Sequence, residues 1–137
     1  LVEEKERHRD RPWLIPSGGP GVQTLLPMMM TAALQGRLSV EQVVGLISAE
    51  PARLFGLAGR KGSIEPGLDA DLCIYDPRAE TVMTRDKMFS KSRDVDKLYE
   101  GMPLQGKVLT TISAGRIVYR EGQILGERGT GRFIRPD

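Results

Sequence analysis

The most distinctive residues form a glycine-rich bend, Ser17-Gly18-Gly19-Pro20-Gly21, that runs directly into an apolar segment. Glycine-rich loops at helix starts often bind anions, because the backbone can approach closely and free helix N–H groups point at the ligand. A Walker-type phosphate loop requires a Lys-Ser/Thr pair after its last glycine, whereas Val22-Gln23-Thr24 follows here. The preceding residues are no buried strand, and the glycine spacing differs from the dinucleotide fingerprint. Two interpretations remain: a loop that contacts a ligand through its backbone, or a turn that only starts a helix.

Side chains that could bind a metal or act as nucleophiles are scarce. The chain has one histidine, His8, and one cysteine, Cys73. A zinc site needs several such ligands, so the chain cannot build one alone. Cys73 lies in the apolar run Leu72-Cys73-Ile74-Tyr75, which predicts a small buried side chain rather than a nucleophile. A single cysteine also cannot form a disulfide framework, which favours a reducing, cytoplasmic location.

Composition excludes several classes of partner. The chain has 137 residues, with 20 Lys and Arg against 18 Asp and Glu, a net charge of +2. The signs are interspersed, which argues against a nucleic-acid partner or an anionic membrane surface. No apolar stretch approaches the ~20 residues that span a bilayer, and from the charged start we expect no signal peptide. Since residue 1 is not Met, we expect that the natural start lies elsewhere.

Helices are predicted over roughly residues 22–56. Apolar residues recur at helical spacing from Val22 to Leu34, and Gly36 suits the position just after the helix. Ser39 and Gln42 form a capping-box pattern for a second helix. Pro51 predicts the start of a short third helix, which Gly56 ends.

Strands are predicted to dominate residues 62–125. Pro66-Gly67 is typical of a type II turn, and a short strand from residue 72 to 75 should stop at Asp76-Pro77. Residues 78–105 are polar and predict irregular structure. Two further strands follow, with turns at Ala114-Gly115 and at Glu121-Gly122. Because the helices are too apolar to stand alone, we expect both parts to need residues outside this chain.

Several stretches in order closely resemble one family, the dihydroorotase/hydantoinase/allantoinase group of metal-dependent cyclic amidohydrolases. The resemblance is carried by PSGGPGVQTLLPMMMTAALQGRLSVEQVVGLISAEPARLFGL, KGSIEPGLDADLCIYDP, FSKS and GKVLTTISAGRIVYREG. These stretches match the C-terminal third of such enzymes and cover nearly the whole chain.

The resemblance implies an α/β fold in two parts: a metal-binding (β/α)8 barrel and a small β-sandwich assembled from both chain termini. Residues 1–56 would then be the last active-site loop and the closing helices of the barrel. Residues 57–137 would be the C-terminal part of the β-sandwich domain and its tail. The partner this chain needs would be the missing N-terminal barrel portion.

The implied reaction is the reversible hydrolysis of a cyclic amide or ureide, in which one or two zinc ions generate hydroxide and polarise the carbonyl. The family's ligands are a His-x-His pair, usually a carboxylated Lys, further His residues and an Asp that serves as acid and base. All of them would lie upstream of this chain. The resemblance therefore implies a catalytic parent, expected to form homo-oligomers, whereas this chain alone should be inactive.

Site residues are carried over only from the glycine-rich loop. In dihydroorotases the matching segment touches the substrate ring, largely through backbone groups. Ser17 and Gly18 are the candidate substrate contacts, Gly19 shapes the bend together with Gly21, and Pro16 is a weaker candidate. Asp69 and Asp71 match positions in the sandwich far from the metals, so we expect them to serve turns and hydrogen bonds.

The substrate prediction has one first choice and open alternatives. Dihydroorotase activity, the interconversion of dihydroorotate and carbamoyl aspartate in pyrimidine biosynthesis, is the first choice. However, the Asn-Thr-Pro-aromatic stretch that many dihydroorotases carry soon after SK is missing, and Gln23 replaces a frequent Glu. Hydantoinase-, dihydropyrimidinase- or allantoinase-like specificity therefore stays open, as does a non-catalytic scaffold of the same fold.

Overall fold

The computed structural model describes residues 7–14, 19, 21–90, 93 and 98–136. Within these ranges the strands form one antiparallel sheet in the order β1-β2-β3-β4, and helix α1 packs on β2. No helix in the described ranges is long and apolar enough to cross a bilayer. The elements are a 3-10 turn at Pro12–Leu14, α1 at Leu25–Leu34, α2 at Val40–Val44, a π turn at Gly45–Ala49, α3 at Glu50–Leu54, β1 at Leu72–Val82, a 3-10 turn at Arg85–Lys87, β2 at Pro103–Ser113, β3 at Arg116–Arg120 and β4 at Gln123–Ile124.

Helix α1 begins three residues later than its apolar pattern predicts. Val22 precedes the helix and is 95% exposed, so it is not part of the buried stripe, whereas Met30 is buried. Pro27 fits because it lies in the first turn, where a helix leaves its N–H groups without internal partners. The predicted end is confirmed: Gly36 has φ +76°, and its N–H donates to the carbonyl of Ala33 at 2.9 Å.

The second and third predicted helices are one continuous helical stretch. The predicted capping box is present, since the Ser39 hydroxyl accepts from the Gln42 N–H and the Gln42 side chain accepts from the Ser39 N–H. The predicted short third helix is present at Glu50–Leu54, with Pro51 in its first turn, but it is not separate, because the chain remains helical through the π turn. The Glu50 N–H donates to the carbonyl of Gly45, five residues back, just before the proline. Proline has no N–H to donate, and its ring would clash with a carbonyl of an ordinary helical turn. The wider π turn gives Pro51 the space it needs.

Strand β1 continues past the proline that was expected to end it. Asp76 pairs with Lys107 and Glu80 pairs with Gln105, so residues 77–79 bulge out opposite a single residue of β2. The bulge keeps Pro77 out of the ladder, which is why the strand survives it. The prediction of irregular structure over residues 78–105 is therefore wrong where β1 and the start of β2 occupy it.

The predicted turns are confirmed by the backbone. Gly67 has φ +99°, and the Leu68 N–H donates to the carbonyl of Glu65 at 3.2 Å. Ala114 and Gly115 both have positive φ, at 47° and 75°, as a tight two-residue hairpin turn requires. The same geometry recurs at the predicted turn between β3 and β4.

The core of the described residues is small. Met83, Met88 and Leu104 form a buried cluster, against which Tyr99 and Met102 pack. Cys73, predicted to be buried, is exposed. An apolar run predicts a strand covered on both faces, whereas β1 lies at the edge of the sheet.

Candidate functional site

The glycine-rich loop is described only at its C-terminal end. Pro16, Ser17 and Gly18, the predicted substrate contacts, lie outside the described residues. The Gly21 N–H donates to the carbonyl of Gly19 at 2.9 Å, and the Leu25 N–H donates to the carbonyl of Gly21 at 2.9 Å. Gly19 and Gly21 thus belong to consecutive turns that lead into α1.

Gln23 connects the end of this loop to a segment more than sixty residues away. Its amide nitrogen donates to the carbonyl of Lys87 at 2.7 Å, and its amide oxygen accepts from the N–H of Phe89 at 2.9 Å. Met88, the residue between these two partners, is buried in the core cluster. The sequence singled out Gln23 only as a departure from the family pattern and did not predict this contact.

Two threonines hydrogen-bond at α1, one within the preceding turn and one to β2, and neither was predicted from the sequence. Thr24 is fully buried, and its hydroxyl donates to the carbonyl of Gly21 at 3.2 Å. Thr31 donates to the carbonyl of Pro27 at 2.7 Å and accepts from the N–H of Gln105 on β2 at 2.9 Å. The sequence indicates these two residues only as hydroxyl side chains among the apolar residues of positions 22–34.

Asp69 and Asp71 form an ion-pair cluster with two basic residues. Lys61 contacts both carboxylates, and Arg60 contacts Asp69 at 3.0 Å. Asp71 also accepts from the N–H of Ala114 at 2.6 Å. The hydrogen bond from Lys61 holds the pKa of Asp69 below its usual value. The cluster joins the loop before β1 to the β2–β3 turn, which agrees with the structural role expected for both aspartates.

The described residues do not gather side chains that could hold a metal ion together. Within the described ranges, no group of three or more His, Cys, Asp or Glu side chains is arranged to hold a metal ion. The donor set therefore does not fit a zinc centre built from these residues alone.

A shallow groove of about 830 Å³ lies between the Lys61–Asp71 cluster and the C-terminal tail. Arg116, Glu127 and Arg132 also line it. The described residues 19 and 21–24 are not among those that line it.

Comparison with known proteins places the chain in a family. A model of the amidohydrolase family matches residues 15–119, so the chain belongs to the amidohydrolase family. The chain is 36% identical to a D-hydantoinase of Ralstonia pickettii over 96% of its own length and 28% of that protein. It is 37% identical to an L-hydantoinase of Paenarthrobacter aurescens over 97% of its length and 29% of that protein.

Solved structures agree with this placement. The fold matches a dihydropyrimidinase from Brevibacillus agri with a TM-score of 0.86 at 29% identity, covering 99% of this chain and 29% of that one. It matches an L-hydantoinase from Arthrobacter aurescens with a TM-score of 0.82 at 36% identity, covering 98% of this chain and 30% of that one. The small sheet and its helices are thus part of an amidohydrolase fold, and the relatives are hydrolases of cyclic amides. They favour the hydantoinase alternative over the dihydroorotase first choice.

Proposed function

We propose that this chain is the C-terminal part of a metal-dependent cyclic amidohydrolase with hydantoinase- or dihydropyrimidinase-like specificity. The observation that carries the proposal is the similarity to hydantoinases over nearly the entire chain, which spans only 28–29% of their length. Zinc ligands and most of the barrel would be supplied by the remainder of such an enzyme.

The division into two parts is also proposed. Residues 1–56 would close the barrel, and residues 57–137 would form part of the β-sandwich. The helical stretch supports this division, because it exposes large apolar side chains that water does not favour. Val44, Leu46, Leu54 and Phe55 are each at least half exposed. Apolar side chains so close together along one helical stretch indicate a surface that another part of the enzyme covers.

The glycine-rich loop would hold the substrate ring. Ser17 and Gly18 would contact it through backbone groups, with Gly19 shaping the bend and Pro16 beside them. Peptide N–H and C=O groups complement the alternating carbonyl and N–H groups of a cyclic ureide. A side chain at position 18 would fill the space that the ring needs. A zinc ion bound by residues of the remainder would supply the nucleophilic hydroxide.

The direct test is a substrate panel. The intact enzyme is assayed with hydantoin, dihydrouracil, dihydroorotate and allantoin, with and without added zinc. We expect hydantoin or dihydrouracil to have the highest kcat/KM. Highest activity on dihydroorotate would contradict the specificity, and turnover of none of the four would contradict the reaction and favour a non-catalytic scaffold.

Gly18→Val tests the role of the loop. We expect kcat/KM to fall at least about tenfold, since a branched side chain would occupy the site of the ring, while the zinc content measured by metal analysis stays close to that of the wild type. Loss of zinc in parallel with activity would mean that the loop only supports the fold.

A further inference from the structure

The side chain of Gln23 uses both halves of its amide on one short piece of backbone. The donor reaches the Lys87 carbonyl at 2.7 Å and the acceptor receives the Phe89 N–H at 2.9 Å. These two backbone groups flank Met88, so the amide pairs with the segment much as a neighbouring strand would. We call this pair of hydrogen bonds the Gln23 clasp.

The segment that Gln23 holds is itself fixed to the sheet. Met88 is 3% exposed within the core cluster, and the ring of Phe89 meets the ring of Tyr119 on β3 edge to face, with centroids 6.0 Å apart. The clasp therefore ties the chain just after the glycine-rich loop to a rigid support.

Of the described residues between Gly21 and the helix, Val22 and Thr24 do not hydrogen-bond this segment through their side chains. Val22 is 95% exposed and provides no packing. Thr24 bonds back to Gly21 and so shapes the turn locally. Among the described residues 19–24, Gln23 is the one whose side chain hydrogen-bonds the segment beyond residue 80.

The chemistry of the clasp requires an amide. A glutamine side chain offers N–H donors as well as an acceptor oxygen, whereas an ionised glutamate offers acceptors only. A carboxylate at position 23 could still accept from the Phe89 N–H, but its other oxygen would face the Lys87 carbonyl. The two oxygens would repel, and the carbonyl would lose its partner.

We propose that Gln23 is a positioning residue for the substrate loop, acting through the clasp to fix where the glycine-rich loop ends. The inference rests on the proposed function, and it assigns to this chain's glutamine a role that a glutamate in its place could not fill.

The test compares three variants of the intact enzyme. Gln23→Met removes both hydrogen bonds at similar size, Gln23→Glu keeps one and adds repulsion, and Gln123→Glu places the same charge change at an exposed position on β4. Steady-state kinetics on the best substrate, zinc content and thermal unfolding are measured for each.

Loss of positioning should appear in KM. We expect both Gln23 variants to raise KM roughly 5- to 30-fold, the size of one or two lost hydrogen bonds, with Gln23→Glu at least as impaired as Gln23→Met. Zinc content should be unchanged, and Gln123→Glu should match the wild type. A KM within twofold of the wild type for Gln23→Glu, or a loss of stability with KM unchanged, would overturn the proposal.

A second measurement does not depend on turnover. If the wild type hydrolysed no cyclic amide, the proposed function would fail, and amide hydrogen exchange would still decide the clasp. Gln23→Met should speed exchange at the Phe89 N–H and also at the Gly21 N–H, which is bonded to Gly19 within the loop. Faster exchange at Phe89 alone would show that the clasp does not position the loop.

Discussion

Gly106 lies on β2 beneath the aromatic ring of Tyr75, at the point where the pairing of β1 with β2 changes register. It is buried with φ +85°, and a Cβ there would lie 2.7 Å from Cζ of Tyr75. The Tyr75 hydroxyl donates to the carbonyl of Gln105 at 2.6 Å, and burial raises its pKa to about 12. Both the backbone conformation and the close ring exclude a side chain at position 106.

Gly106→Ala should therefore lower the free energy of unfolding by about 3 kcal/mol, because backbone strain and overpacking add. Gly122→Ala is the matched control: Gly122 has φ +91°, and a Cβ there would have no atom within 4 Å. It should cost about 1 kcal/mol from strain alone. Denaturant unfolding of the two variants measures the difference, and equal costs would show that the Tyr75 ring moves aside freely.

At the scale of elements, local signals predicted most of what is observed. The capping box at Ser39, the helix end at Gly36 and the hairpin turn at Gly115 depend on residues within a few positions of one another, so their sequence patterns are sufficient. Pro51 does not separate two helices and Pro77 does not end β1, because a π turn and a bulge accommodate them. Whether such a device forms depends on pairing with distant residues, which no local pattern reveals.

The candidate site was less predictable for the same reason. The glycine-rich loop remains a prediction from sequence, and the Gln23 clasp joins residues that are 64 and 66 positions apart. A glutamine beside an apolar stripe is an ordinary surface residue until the segment at 87–89 is placed against it.

The carboxylate of Asp71 accepts a hydrogen bond from the Ala114 N–H and so links the loop before β1 to the β2–β3 turn, which makes this contact dependent on pH. Burial raises the pKa of Asp71, but the bonds from Lys61 and Ala114 outweigh burial and leave it below its ordinary value of 3.8. A carboxylate whose pKa is lower in the folded state than in the unfolded state stabilises the folded protein at pH values above the unfolded-state pKa. This stabilisation is lost as the pH falls through the folded-state pKa. The Asp71 bond raises the pKa of Lys61 above 10.5, so its contribution is complete below that pH and declines above it.

Asp71→Asn should lower the melting temperature at neutral pH, and the difference from the wild type should shrink as pH falls below 3.8. Thermal unfolding from pH 2 to pH 7, at low salt, measures this. Asp76→Asn is a suitable control, because among the described residues the Asp76 carboxylate has only a long contact with the exposed Arg78, at 3.6 Å, and a turn bond from the Arg78 N–H. A pH-independent difference for Asp71→Asn would mean that the negative charge of Asp71 does not stabilise the fold.

At the scale of the whole molecule, the helical stretch over residues 40–54 has a buried side and an exposed apolar side. None of the described residues covers the exposed side. Val43 and Ala52 are buried, whereas Leu54 and Phe55 are 70% and 69% exposed. Helices of this length gain most of their stability from packing an apolar face. The proposed remainder of the enzyme would cover this face.

Leu54→Glu distinguishes a covered face from a solvent-exposed one. In the intact enzyme the substitution should lower the free energy of unfolding by at least about 2 kcal/mol, since it removes a buried leucine and buries a charge. In the 137-residue chain by itself it should cost little, because the side chain is already exposed there. Ala58→Glu, at an exposed position just after α3, should be nearly neutral in both. A small effect of Leu54→Glu in the intact enzyme would show that this face stays in water and that the helices do not close a barrel through it.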